Sequence, residues 1–185
     1  ELAAQFEAEK ILIENYVDTA FGSNAVEDSV TVRFEYINKT IKRGFWYEIL
    51  SPSTNNDYVY KGQILNSNFG PYFAPILPKV RLQYTAKLIN GTIVQADNVE
   101  GGTLYDLNLP NANVINSVWR TTFLPYFIKF NEENQRVKGF TSIGLQEGNK
   151  IRVIAPSYWA FGKNAQNSIP ANSILIYEFT IIDIE

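Results

Sequence analysis

Apolar residues recur at near-helical spacing over residues 2–21. Leu2, Phe6, Ile13, Val17 and Phe21 form one stripe, with Glu7, Glu9, Lys10 and Glu14 largely on the other side. Gly22-Ser23-Asn24 supplies a C-terminal stop. This segment reads as a helix packed on its own domain; the sharper alternative is a dimerising or membrane-proximal stalk. From Val30 to Tyr36 the period changes to two. Val30, Val32, Phe34 and Tyr36 alternate with Thr31, Arg33 and Glu35, as in a half-buried strand. A second apolar stretch, "GFWYEIL", ends at Ser51-Pro52, and "SPSTNND" follows as a turn-rich link.

Residues 66–78, "NSNFGPYFAPILP", hold three prolines and a glycine and are expected to form an ordered loop. Val80, Leu82, Tyr84, Ala86 and Leu88 then alternate with polar residues up to Asn90-Gly91, a strong hairpin signal, with a return strand from Thr92 to Gln95. A short helix is expected to begin near Asn116 or Ser117 and to be disturbed at Pro125. "NEENQRVKG" reads as a solvated connection, "NKIRVIAP" as a strand, and Ser173 to Ile184 as a final strand. The pattern is α+β: mostly antiparallel strands, one short inner helix and an extra N-terminal helix. Between the last two strands lies "PSYWAFGKNAQNSIP", a loop carrying Tyr158, Trp159 and Phe161 around Gly162. Loops are ordinarily polar, so three aromatics there ask for a purpose.

Composition narrows the chemistry. The 185 residues suffice for one domain with a sizeable core plus an appendage. A net charge of −3 with scattered Lys and Arg argues against nucleic acid as a partner. With no cysteine and no histidine, thiol nucleophiles, Ser-His-Asp triads and Cys/His zinc sites are excluded. Asp97, Glu100 and Asp106 lack a recognisable ligand spacing and read as solvated, so neither metal nor cofactor is expected. Asn90-Gly91-Thr92 fits a glycosylation sequon, but a hairpin turn accounts for it better.

In order, "VRLQYTAKLINGTIV", Val114-Ile115 before a short helix, "QEGNKIRVIAPSYWAFG" and "SIPANSILIYEFTIIDIE" closely resemble the FKBP-type peptidyl-prolyl isomerases. The likeness runs over residues 44–185, within a domain spanning 26–185, with insertions near 64–78 and 123–140. Residues 1–25 form an appendage outside it. A helix of this kind ahead of such a domain resembles exported bacterial lipoproteins, which implies a periplasmic or outer-membrane-anchored location and a removed lipid-anchor signal. The resemblance implies a strongly bent antiparallel sheet wrapped around a short helix, with an apolar pocket that takes a prolyl ring.

Carried over by position, Tyr84 matches the family tyrosine, Ile169 the isoleucine before proline, and Tyr177 the phenylalanine of the last strand. Val114 and Ile115 match the pair before the helix, where the backbone N–H of the isoleucine binds substrate carbonyl. The pocket-floor tryptophan falls on Val118 or, with a one-residue shift, Trp119. Four positions depart: Val94 and Leu104 stand where phenylalanines are usual, Gln95 where there is an aspartate, and Phe161 in place of the loop tyrosine. The expected catalytic set is therefore Tyr84, Ile115, Phe161, Ile169 and Tyr177, and the substrate-binding set Val94, Gln95, Leu104, Val114, Val118 and Trp119. Tyr84, Tyr177 and Val114, each taken alone, read equally well as core residues, whereas Phe161 and Trp159 in a loop are less easily dismissed.

Rotation about a prolyl bond needs no acid, base or nucleophile, only desolvation and preferential binding of the twisted amide. The implied partners are proline-containing polypeptides, with weak binding of rapamycin-class ligands. Two readings of another kind stand beside the enzyme: a degenerate peptide-binding or assembly module of a cell-envelope lipoprotein, and a purely structural lipoprotein domain. The two insertions are candidates to cover or reshape the pocket.

Overall fold

The computed structural model describes residues 1–34 and 38–185. Helix α1 spans Leu2–Ala20 and ends at the expected stop. Strands β1 (Val26–Glu27), β2 (Thr31–Phe34), β3 (Lys39–Lys42) and β4 (Trp46–Ser51) follow. The expected strand to Tyr36 is realised as far as Phe34; Glu35 and Tyr36 lie outside the described residues. Next come β5 (Lys61–Ser67), β6 (Gly70–Ile76), β7 (Lys79–Leu88), β8 (Ile93–Asp97) and β9 (Thr103–Asp106). Helix α2 (Ser117–Phe123) precedes β10 (Phe127–Phe130) and β11 (Glu133–Arg136), and β12 (Lys150–Ala155) and β13 (Leu175–Ile184) close the chain.

The main sheet runs β1-β4-β12-β13-β7-β8, and β9 joins the same edge of β7 beyond β8. Every pairing in it is antiparallel. Register shifts between Lys150 and Ile151, Ala86 and Lys87, and Ile181 and Asp183 bend it, since a bulge adds local twist.

Period-two alternation sorts the side chains between the two faces. Val80, Leu82, Tyr84, Leu175, Tyr177, Phe179, Ile151 and Val153 go to the inner face and pack around α2 through Val118, Trp119 and Phe123. Asn116 caps α2 by accepting the Val118 N–H, and the helix stops at Leu124 because Pro125 cannot continue it. The intervening residues Ile154, Ile174 and Ile176 go to the outer face, where Ile13 and Val17 of α1 cover them. The N-terminal helix is therefore packed on its own domain, not held out as a stalk.

Both insertions are strand hairpins. Residues 66–78 are not the expected loop: β5 and β6 pair from Lys61↔Ile76 to Ser67↔Gly70. Pro71 and Pro75 are tolerated because a two-stranded ribbon leaves half of each strand's N–H groups unpaired. The expected solvated connection is the β10–β11 hairpin, turning through Asn131 and Glu132, both at positive φ (50° and 66°). The two hairpins meet through Phe73 and Phe130, with ring centroids 5.3 Å apart. Behind them a small core of Tyr60, Leu124 and Ile128 packs against Leu77 and Ile184. That places them at the C-terminal end of α2, away from Ile115 and Asn116 at its start, so they buttress the domain and do not cover the predicted pocket.

Candidate functional site

At the N-terminal end of α2 the structure gathers most of the predicted residues. Tyr84, Ile115, Ile169 and Tyr177 are all buried in one cluster, and Val94, Val114 and Phe161 pack against it from the rim. Trp119 is the floor. Its ring lies 4.8 Å from Tyr84, 4.9 Å from Phe179, 5.3 Å from Tyr105 and 6.5 Å from Tyr177, centroid to centroid. Of the two helix positions Trp119 is the one that meets these rings; Val118 is also fully buried in the same cluster.

Leu104 does not belong to the site. It is 45% exposed, because β9 turns it to the other face, and the half-buried Tyr105 beside it takes the pocket position. Alternation along β9 was the signal that would have chosen Tyr105. Its hydroxyl donates to Asp97 Oδ2 at 2.5 Å, and Thr103 Oγ1 donates to Asp97 Oδ1 at 3.1 Å. Asp97 is therefore a partly exposed acceptor tied to two hydroxyls. The Tyr105 bond holds its pKa below the usual carboxylate value. Burial pushes the Tyr84 hydroxyl up to about 12, with the Asp97 charge adding to it. Burial likewise raises Tyr105 and Tyr177.

Gln95 occupies the place of the usual aspartate and acts as a bridge. Its Oε1 accepts the Tyr84 hydroxyl at 3.4 Å, and its Nε2 donates to the Asn113 carbonyl at 2.7 Å. Tyr177 carries a hydroxyl that the usual phenylalanine lacks, and it is satisfied by Asn116 Nδ2 at 2.8 Å. The Trp119 indole N–H has no hydrogen-bond partner within normal geometry, although its nearness to the Tyr177 hydroxyl acts to lower that group's pKa. The indole is fully buried, so this N–H faces the Tyr177 hydroxyl and not an open cavity.

The Ile115 backbone N–H differs from expectation. It donates to the Asn111 carbonyl at 2.8 Å, and the Val114 N–H donates to the same oxygen at 3.0 Å. The 111–115 turn closes on itself, so the donor expected to meet a substrate carbonyl is already engaged.

The aromatic loop is divided between two tasks. Phe161 packs on the site cluster. Tyr158 instead packs against Phe6 and Phe34, with centroids 5.6 and 5.1 Å away. Trp159 donates from Nε1 to the Arg43 carbonyl at 2.9 Å and leans on Phe45. These two rings anchor the N-terminal segment, and Trp159 also packs on the same core cluster as Phe161. Glu9, placed by helical spacing on the solvent side, is 7% exposed and bonds Ser157 at the start of this loop. The buried Asp28–Arg43 pair, at 2.6 and 3.0 Å, holds the same corner. A polar residue serving a tertiary contact leaves no trace in hydrophobic periodicity, so none of these was readable beforehand.

A bent antiparallel sheet wrapped on one short helix, with a tryptophan floor ringed by tyrosines at the helix start, defines an FKBP-like α+β domain. Residues 74–182 match the family of FKBP-type peptidyl-prolyl cis-trans isomerases, and the chain belongs to it. An FKBP-type peptidyl-prolyl cis-trans isomerase FkpA from Buchnera aphidicola is 44% identical over 41 residues, covering 22% of this chain and 16% of that protein. FK506-binding protein 4 from Chaetomium thermophilum is 27% identical over 109 residues, covering 58% of this chain and 18% of that protein. The chain thus matches less than a fifth of the length of either relative. Among solved structures, a peptidyl-prolyl cis-trans isomerase from Pseudomonas syringae superposes with a TM-score of 0.56 at 15% identity, covering 100% of this chain and 96% of that one. FkpA from Escherichia coli gives a TM-score of 0.52 at 17% identity, covering 99% of this chain and 61% of that one. At these identities the likeness establishes the fold.

Proposed function

We propose that this chain is a peptidyl-prolyl cis-trans isomerase acting on proline-containing stretches of exported or partly folded polypeptides. The observation that carries the reading is the convergence of Tyr84, Trp119, Ile169 and Tyr177 behind Phe161 at the start of α2. The barrier to rotation, ~18–20 kcal/mol, comes from amide resonance. A pocket lowers it by taking the amide out of water and by fitting the twisted bond better than the planar one. Phe161, Ile169 and Tyr84 supply apolar walls for the prolyl ring. The Tyr84 hydroxyl, which donates to Gln95 Oε1 in this state, becomes a donor to substrate when that bond is displaced, and no proton has to be transferred.

One observation favours a second reading, a catalytically degenerate peptide-binding or assembly module. The Ile115 N–H is closed onto Asn111, and Phe161 has no hydroxyl. Under the isomerase reading the 111–113 segment opens when substrate enters. Exchange spectroscopy on a series of Leu-Pro and Phe-Pro peptides, with and without a rapamycin-class ligand, separates the two. Acceleration over the uncatalysed rate supports the enzyme, and binding without acceleration supports the module. We read the location as periplasmic or outer-membrane-anchored, because a helix precedes the domain as in exported lipoproteins; cell fractionation tests it.

A further inference from the structure

A concavity adjoins the candidate-site cluster at Phe161. It is a groove of about 1060 Å³ between the first turns of α1 and the loop after β12, lined by Leu2, Gln5, Tyr158, Ala160, Phe161 and Gly162. Its volume lies just above the ~300–1,000 Å³ of small-molecule sites, and it is partly open to solvent. Such a shape suits an extended chain better than an enclosed ligand.

Three features make it a built surface. Its walls are fixed: Ser157 is held by Glu9 at 2.7 and 3.0 Å and by Gln5 Nε2 at 2.9 Å, while Tyr158 is wedged against Phe6 and Phe34. A preformed groove spares a ligand the ordering cost of making one. The lining mixes apolar Leu2, Ala160 and Phe161 with the carboxamides of Asn164 and Asn172 and the charges of Glu1 and Lys163. That mixture offers contact to an apolar side chain and hydrogen bonds to peptide groups. Phe161 both lines the groove and packs on the candidate-site cluster, so a chain whose proline lies against that cluster is within reach of the groove with its neighbouring residues.

We propose that this groove is an extended polypeptide subsite that binds residues flanking the isomerised proline, with an apolar side chain seated against Leu2 and Ala160. The proposal rests on the isomerase reading of the neighbouring cluster. It makes α1 part of substrate selection as well as of the fold, and it makes the preferred substrate a longer unfolded segment, apolar near its proline.

The test compares a four-residue Leu-Pro peptide with a ten-residue peptide carrying apolar residues on both sides of the same Leu-Pro. Rates come from exchange spectroscopy, using wild type and Leu2→Asp. Leu2 is only partly buried and belongs to none of the hydrophobic core clusters, so this variant is expected to fold. The expected result is a kcat/KM for the long peptide ~10-fold above that for the short one, with the advantage lost in Leu2→Asp and the short-peptide rate unchanged. A ratio near one in wild type overturns the subsite while leaving the isomerase reading intact. A ratio that survives Leu2→Asp also overturns it. If neither peptide is accelerated, the isomerase reading fails by itself. The groove is then judged by a proline-free version of the long peptide, read from amide shifts of Ala160 and Gly162. Shifts in wild type that vanish in Leu2→Asp retain the groove as a peptide site, and their absence in wild type removes it.

Discussion

Glu9 and Ser157, 148 positions apart, form a two-point clamp: Ser157 donates its backbone N–H to Glu9 Oε1 at 2.7 Å and its hydroxyl to Oε2 at 3.0 Å. The clamp fixes the start of the loop that carries Phe161 onto a helix outside the core of the fold. Glu9→Ala leaves a buried N–H unpaired, and a hydrogen bond to a charged group is worth ~1.5–3 kcal/mol. The urea midpoint is expected to fall accordingly, and Glu9→Gln, which keeps an acceptor, to recover part of it. An unchanged midpoint in Glu9→Ala would mean that α1 contributes nothing here.

Phe161 separates catalysis from simple binding. Phe161→Tyr places a hydroxyl at the rim and is expected to raise the isomerisation rate several-fold, a gain of about 1 kcal/mol. Phe161→Ala removes apolar contact and should weaken both rate and peptide binding. Rapamycin-class ligands should bind the wild type ~30-fold more weakly than a pocket with both the loop hydroxyl and the aspartate, for two hydrogen bonds of about 1 kcal/mol each. Calorimetry giving nanomolar affinity would show that other contacts compensate.

The site should be indifferent to pH over the ordinary range. Asp97 has its pKa lowered, chiefly by the Tyr105 bond, so its contribution to stability is present above the unfolded value of ~3.9 and lost as pH falls through the folded value. Tyr84 is raised to about 12 by burial and by Asp97, so its contribution is complete below its unfolded value of ~10 and lost as pH rises toward 12. A kcat/KM profile flat from about pH 5 to about pH 9 is expected. A bell with limbs inside that range would point to a titrating group outside the cluster.

Asp28 and Arg43 are 4% and 7% exposed and form a bidentate pair, with the guanidinium 5.5 Å from the Phe45 ring centroid. Removing one partner strands the other charge. Asp28→Ala is expected to destabilise by ~3–5 kcal/mol in chemical denaturation, and Arg43→Ala by a similar amount. A loss under about 1 kcal/mol would place the pair in effectively solvated surroundings.

The inner strands were legible because each has one wet and one dry face, or two dry ones. Val80, Leu82, Tyr84 and Ala86 alternate in the chain and are buried in the structure. Asn90-Gly91 turned where it was expected to, with Gly91 at φ 90°. The prolines in β6 concealed a hairpin, because a two-stranded ribbon needs only half of the N–H groups that a central strand needs. Asn131-Glu132 concealed another, since Asn before Glu is a weaker turn signal than Asn-Gly.

Local order along the chain determined the strands of the sheet and the inner helix with its Asn116 cap, because period, capping and turn chemistry act over a few residues, while the grouping of Tyr84, Ile115, Ile169 and Tyr177 came from the resemblance to the family. Only the tertiary structure decided what depends on one side chain meeting another far away. It chose Trp119 over Val118 as the floor and Tyr105 over Leu104 as the wall, since a single-residue shift reverses which face a side chain takes. It engaged the Ile115 N–H with Asn111 and turned Tyr158 and Trp159 toward the N-terminal segment. It also buried Glu9 against Ser157, a contact whose stability comes from excluding water at a junction of distant segments, which no window along the chain contains.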